Sequence, residues 1–299
     1  MNEKNIFCYV MVAPALAITI VLGVYPMIDT MLISFQSYDL LTLQNEGTRW
    51  IGLDNYREIL ANEKFLQTIS QTVIFTVLAV GISVAMGLFL AQIVNAEFRG
   101  RSVLRTIILS PWFVPPVVAS AIWLWLLETN TSPINSILLD AGLIERKIRF
   151  LTDSDTIGPF SIPMLSIVAV RCWNGLPIII IFLLAGLQSI PKSLYEAAEM
   201  DGGGVWAKFR YVTLPMLQPV LMVLFALLFL GGFGHFEMNY IMTGGGPRNL
   251  TNVLAVWTYQ EGFQFLRYGK AAAAGGIVLV MCSIISVFYL WAQSKDNRS

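Results

Sequence analysis

Residues 188–215 read QSIPKSLYEAAEMDGGGVWAKFRYVTLP, a polar and aromatic stretch set between two long apolar runs. Ser193 suits the N-cap of a short helix, and Glu196 in its first turn would meet the positive end of the helix dipole. Leu194, Ala197 and Ala198 follow an i, i+3, i+4 pattern and form a face of mainly small side chains, against which another helix can pack closely. Gly202-Gly203-Gly204 ends that helix. Trp206, Phe209 and Tyr211, interleaved with Lys208 and Arg210, then lead through Leu214-Pro215 into the next run. The expectation is a surface-lying helix–turn–helix, too polar to enter a bilayer and too apolar for a plain linker.

The flanking runs, 160–188 and 216–239, belong to a set of six that also includes 9–34, 68–94, 103–127 and 271–292. Each supplies the ~20 mostly apolar residues that a transmembrane helix needs. The composition agrees: 56% of the 299 residues are hydrophobic and 13% charged, against about 25% charged in a soluble domain. The runs are continuous, without the alternation over about ten residues of a barrel strand. The fold class is therefore an all-α membrane protein with six transmembrane helices. One transmembrane domain would fill residues 1–299, with the helix 9–34 and the segment 35–67 leading into a core over 68–292. The first run is too long for a secretory signal and lacks a cleavage site at the right place.

The other classes find little support. Cys8, Cys172 and Cys282 are odd in number and two lie inside predicted spans, so a disulfide framework is not expected. His235 is the one histidine, which leaves no metal set. A formal net charge of zero gives no sign of a nucleic-acid partner. No phosphate-binding G-x-x-x-x-G-K-[ST] loop occurs: Gly244-Gly245-Gly246-Pro247 lacks the lysine.

The segments between runs alternate longer (35–67, 128–159, 240–270) with shorter (95–102, 189–215). Basic residues divide evenly between the two sides, but Arg99, Arg101 and Arg105 crowd the turn after the second run, which favours that side as cytoplasmic, with both termini there. Proline interrupts several runs, at Pro14 and Pro26, at Pro111, Pro115 and Pro116, and at Pro177. Pro177 cannot donate to the carbonyl of Trp173, so a break is expected there. Gly231-Gly232-Phe233-Gly234 is likewise poor material for a rigid helix.

Glu196-Ala197-Ala198, Asp201-Gly202, Phe209 and Leu214-Pro215 at this spacing resemble the EAA loop of permeases in ATP-binding-cassette importers. Three further stretches resemble carbohydrate permeases of the maltose and glycerol-phosphate type: Ile51–Tyr56, Ala185–Pro191, and Met242–Pro247 with Asn249 and Thr251. The resemblance runs from about residue 9 to 292 and departs at Gly203, where the family has Ala, and at Val212, where it has Ile. The extra glycine is expected to loosen the end of the helix.

The resemblance implies the type I importer permease fold, in a bacterial inner membrane, crossed several times. The EAA loop, between the fourth and fifth spans, would dock on a cytoplasmic ATPase and carry its closure to the membrane. The partners implied are two such ATPases, which use ATP and Mg, a second homologous permease, a solute-binding protein and a carbohydrate. This chain would bind no cofactor and do no chemistry.

Ionisable residues inside spans are functional candidates because burying them is costly. Arg171 lies about 12 Å along the fourth run, with Asn174 and Gly175 on its face and Trp173 beside it. In the fifth, His235 and Asn239 stand four apart, with Glu237 and Tyr240 nearby. An aromatic ring beside hydrogen-bonding groups suits a sugar. The alternative is an Arg171–Glu237 ion pair between helices, or contact with a second permease. An ion-coupled secondary transporter is the competing function, but it would need an inverted repeat and mid-membrane carboxylates, and neither is evident.

Overall fold

The computed structural model describes residues 3–296, except the side chains of residues 3–9, 45, 46, 292, 295 and 296. Cys8 is among these exceptions. Among the described residues, five helices are long and apolar enough to cross a membrane: Val10–Ile33, Glu63–Asn95, Ile162–Ser189, Val205–Phe233 and Tyr268–Trp291. We label the elements used below α1 (Val10–Ile33), α2 (Asp54–Leu60), α3 (Glu63–Asn95), α4 (Arg101–Leu109), α5 (Pro116–Leu127), α6 (Pro133–Asp140), α7 (Ile162–Gln188), α8 (Lys192–Met200), α9 (Leu214–Phe233), α10 (Glu237–Thr243) and α11 (Tyr268–Asp296).

The run 103–127 is not one straight helix. Arg101–Phe113 and Pro116–Leu127 meet at 98°. Pro115 has no N–H for the carbonyl of Pro111, and a residue before proline is driven out of the helical region. Val114 accordingly sits at φ −87°, ψ 115°. Counted as a single broken span, the pair brings the total to six.

Two further boundaries differ from expectation. α7 runs unbroken through Pro177, which is buried among Leu176, Ile179 and Ile180; packing there outweighs one lost backbone hydrogen bond. The fifth span stops at Phe233, so His235 and Asn239 do not share a continuous helix. Gly234 and the two residues after it separate α9 from α10.

The chain divides into two compact units. One comprises residues up to Leu66 with Trp257–Val280. Its organising residue is Asn55, 5% exposed, whose amide donates to the carbonyls of Ser34 (2.9 Å) and Gln36 (2.8 Å). Tyr56 adds a hydroxyl bond to Ser34 Oγ at 2.8 Å. The backbone of Gly269 fits against this hub, where a Cβ would come 2.9 Å from the Asn55 amide nitrogen. The stretch Ile51–Tyr56 is thus a structural clasp.

The other unit comprises Gln67–Val256 with the chain after Val280. It has two buried clusters. Phe75, Met164, Ile167, Val168 and Met238 lie in one, and Ala91, Ile179, Ile180, Leu183, Leu217 and Leu224 in the other. Where α7 crosses its neighbours the contacts depend on missing side chains. A Cβ on Gly87 would lie 2.7 Å from Ile179 Cγ2, and one on Gly186 2.7 Å from Leu217 Cδ2. Small residues let membrane helices approach closely enough for dispersion to hold them.

Candidate functional site

The loop between α7 and α9 forms the expected helix and turn, with different starting chemistry. Pro191, at φ −60° and ψ 132°, occupies the N-cap, and no side chain caps the helix. Ser193 is therefore already inside α8, and Glu196 falls beyond its first turn. Proline's fixed φ and missing N–H suit a helix start, where amide donors have no helical partner.

The C-terminus of α8 is a Schellman turn. Gly202 takes φ +81°, Gly203 N–H donates to the Ala198 carbonyl at 2.8 Å, and Gly202 N–H donates to the Glu199 carbonyl at 3.0 Å. A Cβ on Gly203 would sit 2.6 Å from the Ala198 oxygen. The glycine at 203 thus tightens the turn, contrary to the loosening expected. Asp201 is the C-cap, its N–H bonded to the Ala197 carbonyl at 3.1 Å.

The chain then passes through Val205–Lys208 and a π turn, Phe209–Thr213, into α9, with Pro215 in its first turn. Phe209 packs against Trp206, the rings tilted by 35° with centroids 5.5 Å apart. Leu194 and Ala197 are exposed and Ala198 is half-buried, so the expected small-residue face is divided between surface and elbow. Around them Met200 (88%) and Trp206 (73%) stand out in solvent together with Val205 and Tyr211. Patterning alone missed Met200 and Val205, since an apolar side chain in a polar loop gains meaning only when the fold leaves it uncovered. Tyr195 and Thr213, whose hydroxyls lie 3.0 Å apart, were also missed because the pairing is tertiary.

The interior candidates separate into two groups. Asn174 is committed to the fold, its amide donating to the carbonyls of Pro111 (3.2 Å) and Val114 (3.1 Å). Those are the carbonyls at the break between α4 and α5. Asn239, fully buried, donates to the Thr251 carbonyl at 3.3 Å. Thr251 in turn bonds Thr243 Oγ1 at 2.6 Å and the Gly246 carbonyl at 2.7 Å, so the 242–251 motif closes on itself.

The second group keeps unused capacity. Arg171 extends forward along α7 over Gly175, where a Cβ would strike its Nη1. Glu237 is exposed, and Arg171 and Glu237 form no ion pair. His235 rests 5.4 Å from the Phe75 ring with its side chain beside that of Asn239, and neither the buried Nδ1 of His235 nor Asn239 Oδ1 makes a well-formed hydrogen bond. Trp173 meets Trp123 edge-on at 5.6 Å, and Tyr240 stacks on Phe236 at 4.9 Å. A cleft of about 490 Å³ opens at the α5–α10 end of this region, bounded by Leu124, Glu128, Thr152, Thr243 and Pro247.

The sequence matches the family of binding-protein-dependent transport system inner membrane components over residues 83–295. The chain belongs to this family. It is a permease of the ATP-binding-cassette importer type, not an enzyme, which sets aside the ion-coupled alternative. The permease is 30% identical over 282 residues to the trehalose/maltose transport system permease protein MalF of Thermococcus litoralis, covering 94% of this chain and 92% of that one. It is 32% identical over 294 residues to the diacetylchitobiose uptake system permease protein DasB of Streptomyces coelicolor, covering 97% and 87%. Its fold is similar to a solved bacterial ABC transporter involved in the import of the acidic polysaccharide alginate. The TM-score is 0.79 at 24% identity, over 98% of this chain and 96% of that one.

Proposed function

We propose that this permease carries a carbohydrate, delivered by a solute-binding protein, across the cytoplasmic membrane, with α8 as the helix that docks on an ATPase. The similarity to permeases named for trehalose/maltose, diacetylchitobiose and arabinooligosaccharide transport supports the sugar class. The observation that carries the docking role is the exposed apolar rim of Leu194, Met200, Val205, Trp206 and Tyr211 on a loop between two spans. A loop serving only as a connection would gain nothing from this surface, whereas a protein interface would bury it.

In this reading a second homologous permease completes the pathway, and two ATPases hold ATP and Mg on the cytoplasmic side, where both termini lie. His235 and Asn239, with Arg171 and the rings of Trp173 and Tyr240, are the groups assigned to sugar hydroxyls and C–H faces. Asn174 contributes by holding the bend.

The test is Ala197→Phe in the assembled importer. Ala197 is exposed, so the larger ring should leave the permease folded and inserted. Pressed into an ATPase cleft, it should overpack the contact by about 1–3 kcal/mol and lower recovery of the ATPase in detergent by roughly tenfold. Full recovery of the ATPase with Ala197→Phe would show that α8 is not the docking helix.

A further inference from the structure

A docked helix can drive a membrane span only if the joint between them is stiff, and the joint behind α8 is made of weak parts. Three consecutive glycines follow α8, and the π turn Phe209–Thr213 opens the next span. A π turn adds a residue to the helical ladder and is a common place for register to give way. Behind α8 lies a cleft of about 600 Å³, bordered by Gln92, Arg101, Lys192, Tyr195 and Thr213, so the helix has room to rock. The Lys208–Glu199 ion pair crosses the joint at 3.5 Å, but the Glu199 side chain is 71% exposed. Exposed pairs of this kind contribute little.

One side-chain link is better placed. Tyr195 Oη lies 3.0 Å from Thr213 Oγ1, and Thr213 is 5% exposed. The Thr213 hydroxyl donates to the Lys208 carbonyl at 3.4 Å, which leaves it to accept from Tyr195. The result is a two-bond relay from α8, through the residue at the foot of α9, to the backbone where the π turn starts. The Tyr195 ring also packs on the buried cluster of Ile179, Leu183 and Leu217, so its hydroxyl is held in position.

We propose that the Tyr195–Thr213 hydroxyl pair is the strut that transmits movement of α8 to α9, making Tyr195 a positioning residue for transport. The proposal rests on the reading of α8 as the docking helix and adds a mechanical requirement to it. Without the strut, motion of α8 would be absorbed by bending at Gly202–Gly204 and slippage in the π turn. The ATPase would still bind and hydrolyse ATP, and less of that work would reach the membrane.

The experiment uses the complete importer in liposomes with its solute-binding protein and substrate, and reads solute imported per ATP hydrolysed. Tyr195→Phe should lower that ratio by about fivefold, the factor expected from losing one neutral hydrogen bond, and Thr213→Val, which removes both bonds of the relay, at least as much. The double variant should fall no further than Thr213→Val alone, because that change already removes the Tyr195 link. Thr213→Ser keeps the hydroxyl and should retain the normal ratio. The ATPase should co-purify with all four. An unchanged ratio in Tyr195→Phe, or additive losses in the double variant, would overturn the strut. So would loss of the ATPase from Tyr195→Phe, since the residue would then serve docking itself. Failure of the underlying docking reading shows elsewhere, as full retention of the ATPase by Ala197→Phe.

Discussion

At the scale of single residues, most polar side chains that stand out in this sequence are occupied in holding backbone. Asn55, Asn174 and Asn239 each donate to carbonyls that no regular helix satisfies. Glu261 is the counterexample: buried in the turn before α11, it has Arg267 at 3.6 Å, yet Oε2 lacks a hydrogen bond. Burial raises the pKa of its carboxyl, while Arg267 and Lys270 pull it back only in part. The fold therefore binds this proton more tightly than the unfolded chain does. That contribution to stability is fully present below the ordinary carboxylate pKa and is lost as pH rises through the raised one. Glu261→Gln keeps the shape and removes the charge. It should raise the midpoint of thermal unfolding in detergent at pH 7.5 and leave it nearly unchanged at pH 4. A lower midpoint at pH 7.5 would mean that the Arg267 contact outweighs burial.

At the scale of elements, the bend between α4 and α5 shows how a local rule needs a distant partner. Pro115 makes a break inevitable, but a break leaves carbonyls to satisfy, and the Asn174 side chain on α7 satisfies two of them. Pro111 also accepts the Val114 N–H at 3.1 Å, so Asn174→Ala would strand the Val114 carbonyl alone, at roughly 1–3 kcal/mol. The expected result is a lower unfolding midpoint for the variant in detergent, together with reduced uptake. Reduced uptake with unchanged stability would instead place Asn174 in contact with cargo. The long spans were legible because apolar runs of this length have few other uses. The α8 turn was legible because Asp201-Gly202 has a specific backbone meaning. The angle of the bend was not, since it is set by residues about sixty positions away. The end of α9 was misplaced because Phe236 and Met238 are as apolar as the helix before them, and hydropathy does not register the backbone freedom of Gly234. Ser193 was misassigned as a cap because the proline two residues earlier already starts the helix.

At the scale of the whole molecule, the number of crossings depends on whether the bent pair traverses the membrane or returns to the side it left. α5 alone, with 12 residues, extends about 18 Å, well short of an apolar core of about 30 Å. If the two limbs share the 98° bend equally, each inclines by about 49° and together they reach about 25 Å in depth. The charges fit a crossing: Arg101 and Arg105 stand at the start of the pair and Glu128 follows its end. A re-entrant pair would bring both charged ends to one face and leave the permease with five crossings. Single cysteines in a background lacking Cys8, Cys172 and Cys282 separate the two cases. Phe98 (42% exposed) precedes the pair, Ile157 (76%) lies between α5 and α7, and Met200 (88%) ends α8. With six crossings, an impermeant thiol reagent added to intact cells should label Ile157→Cys and spare Phe98→Cys and Met200→Cys until the membrane is opened. Labelling of Phe98→Cys together with Ile157→Cys would show that the pair turns back. Labelling of Met200→Cys in intact cells would place α8 outside, where no ATPase could reach it.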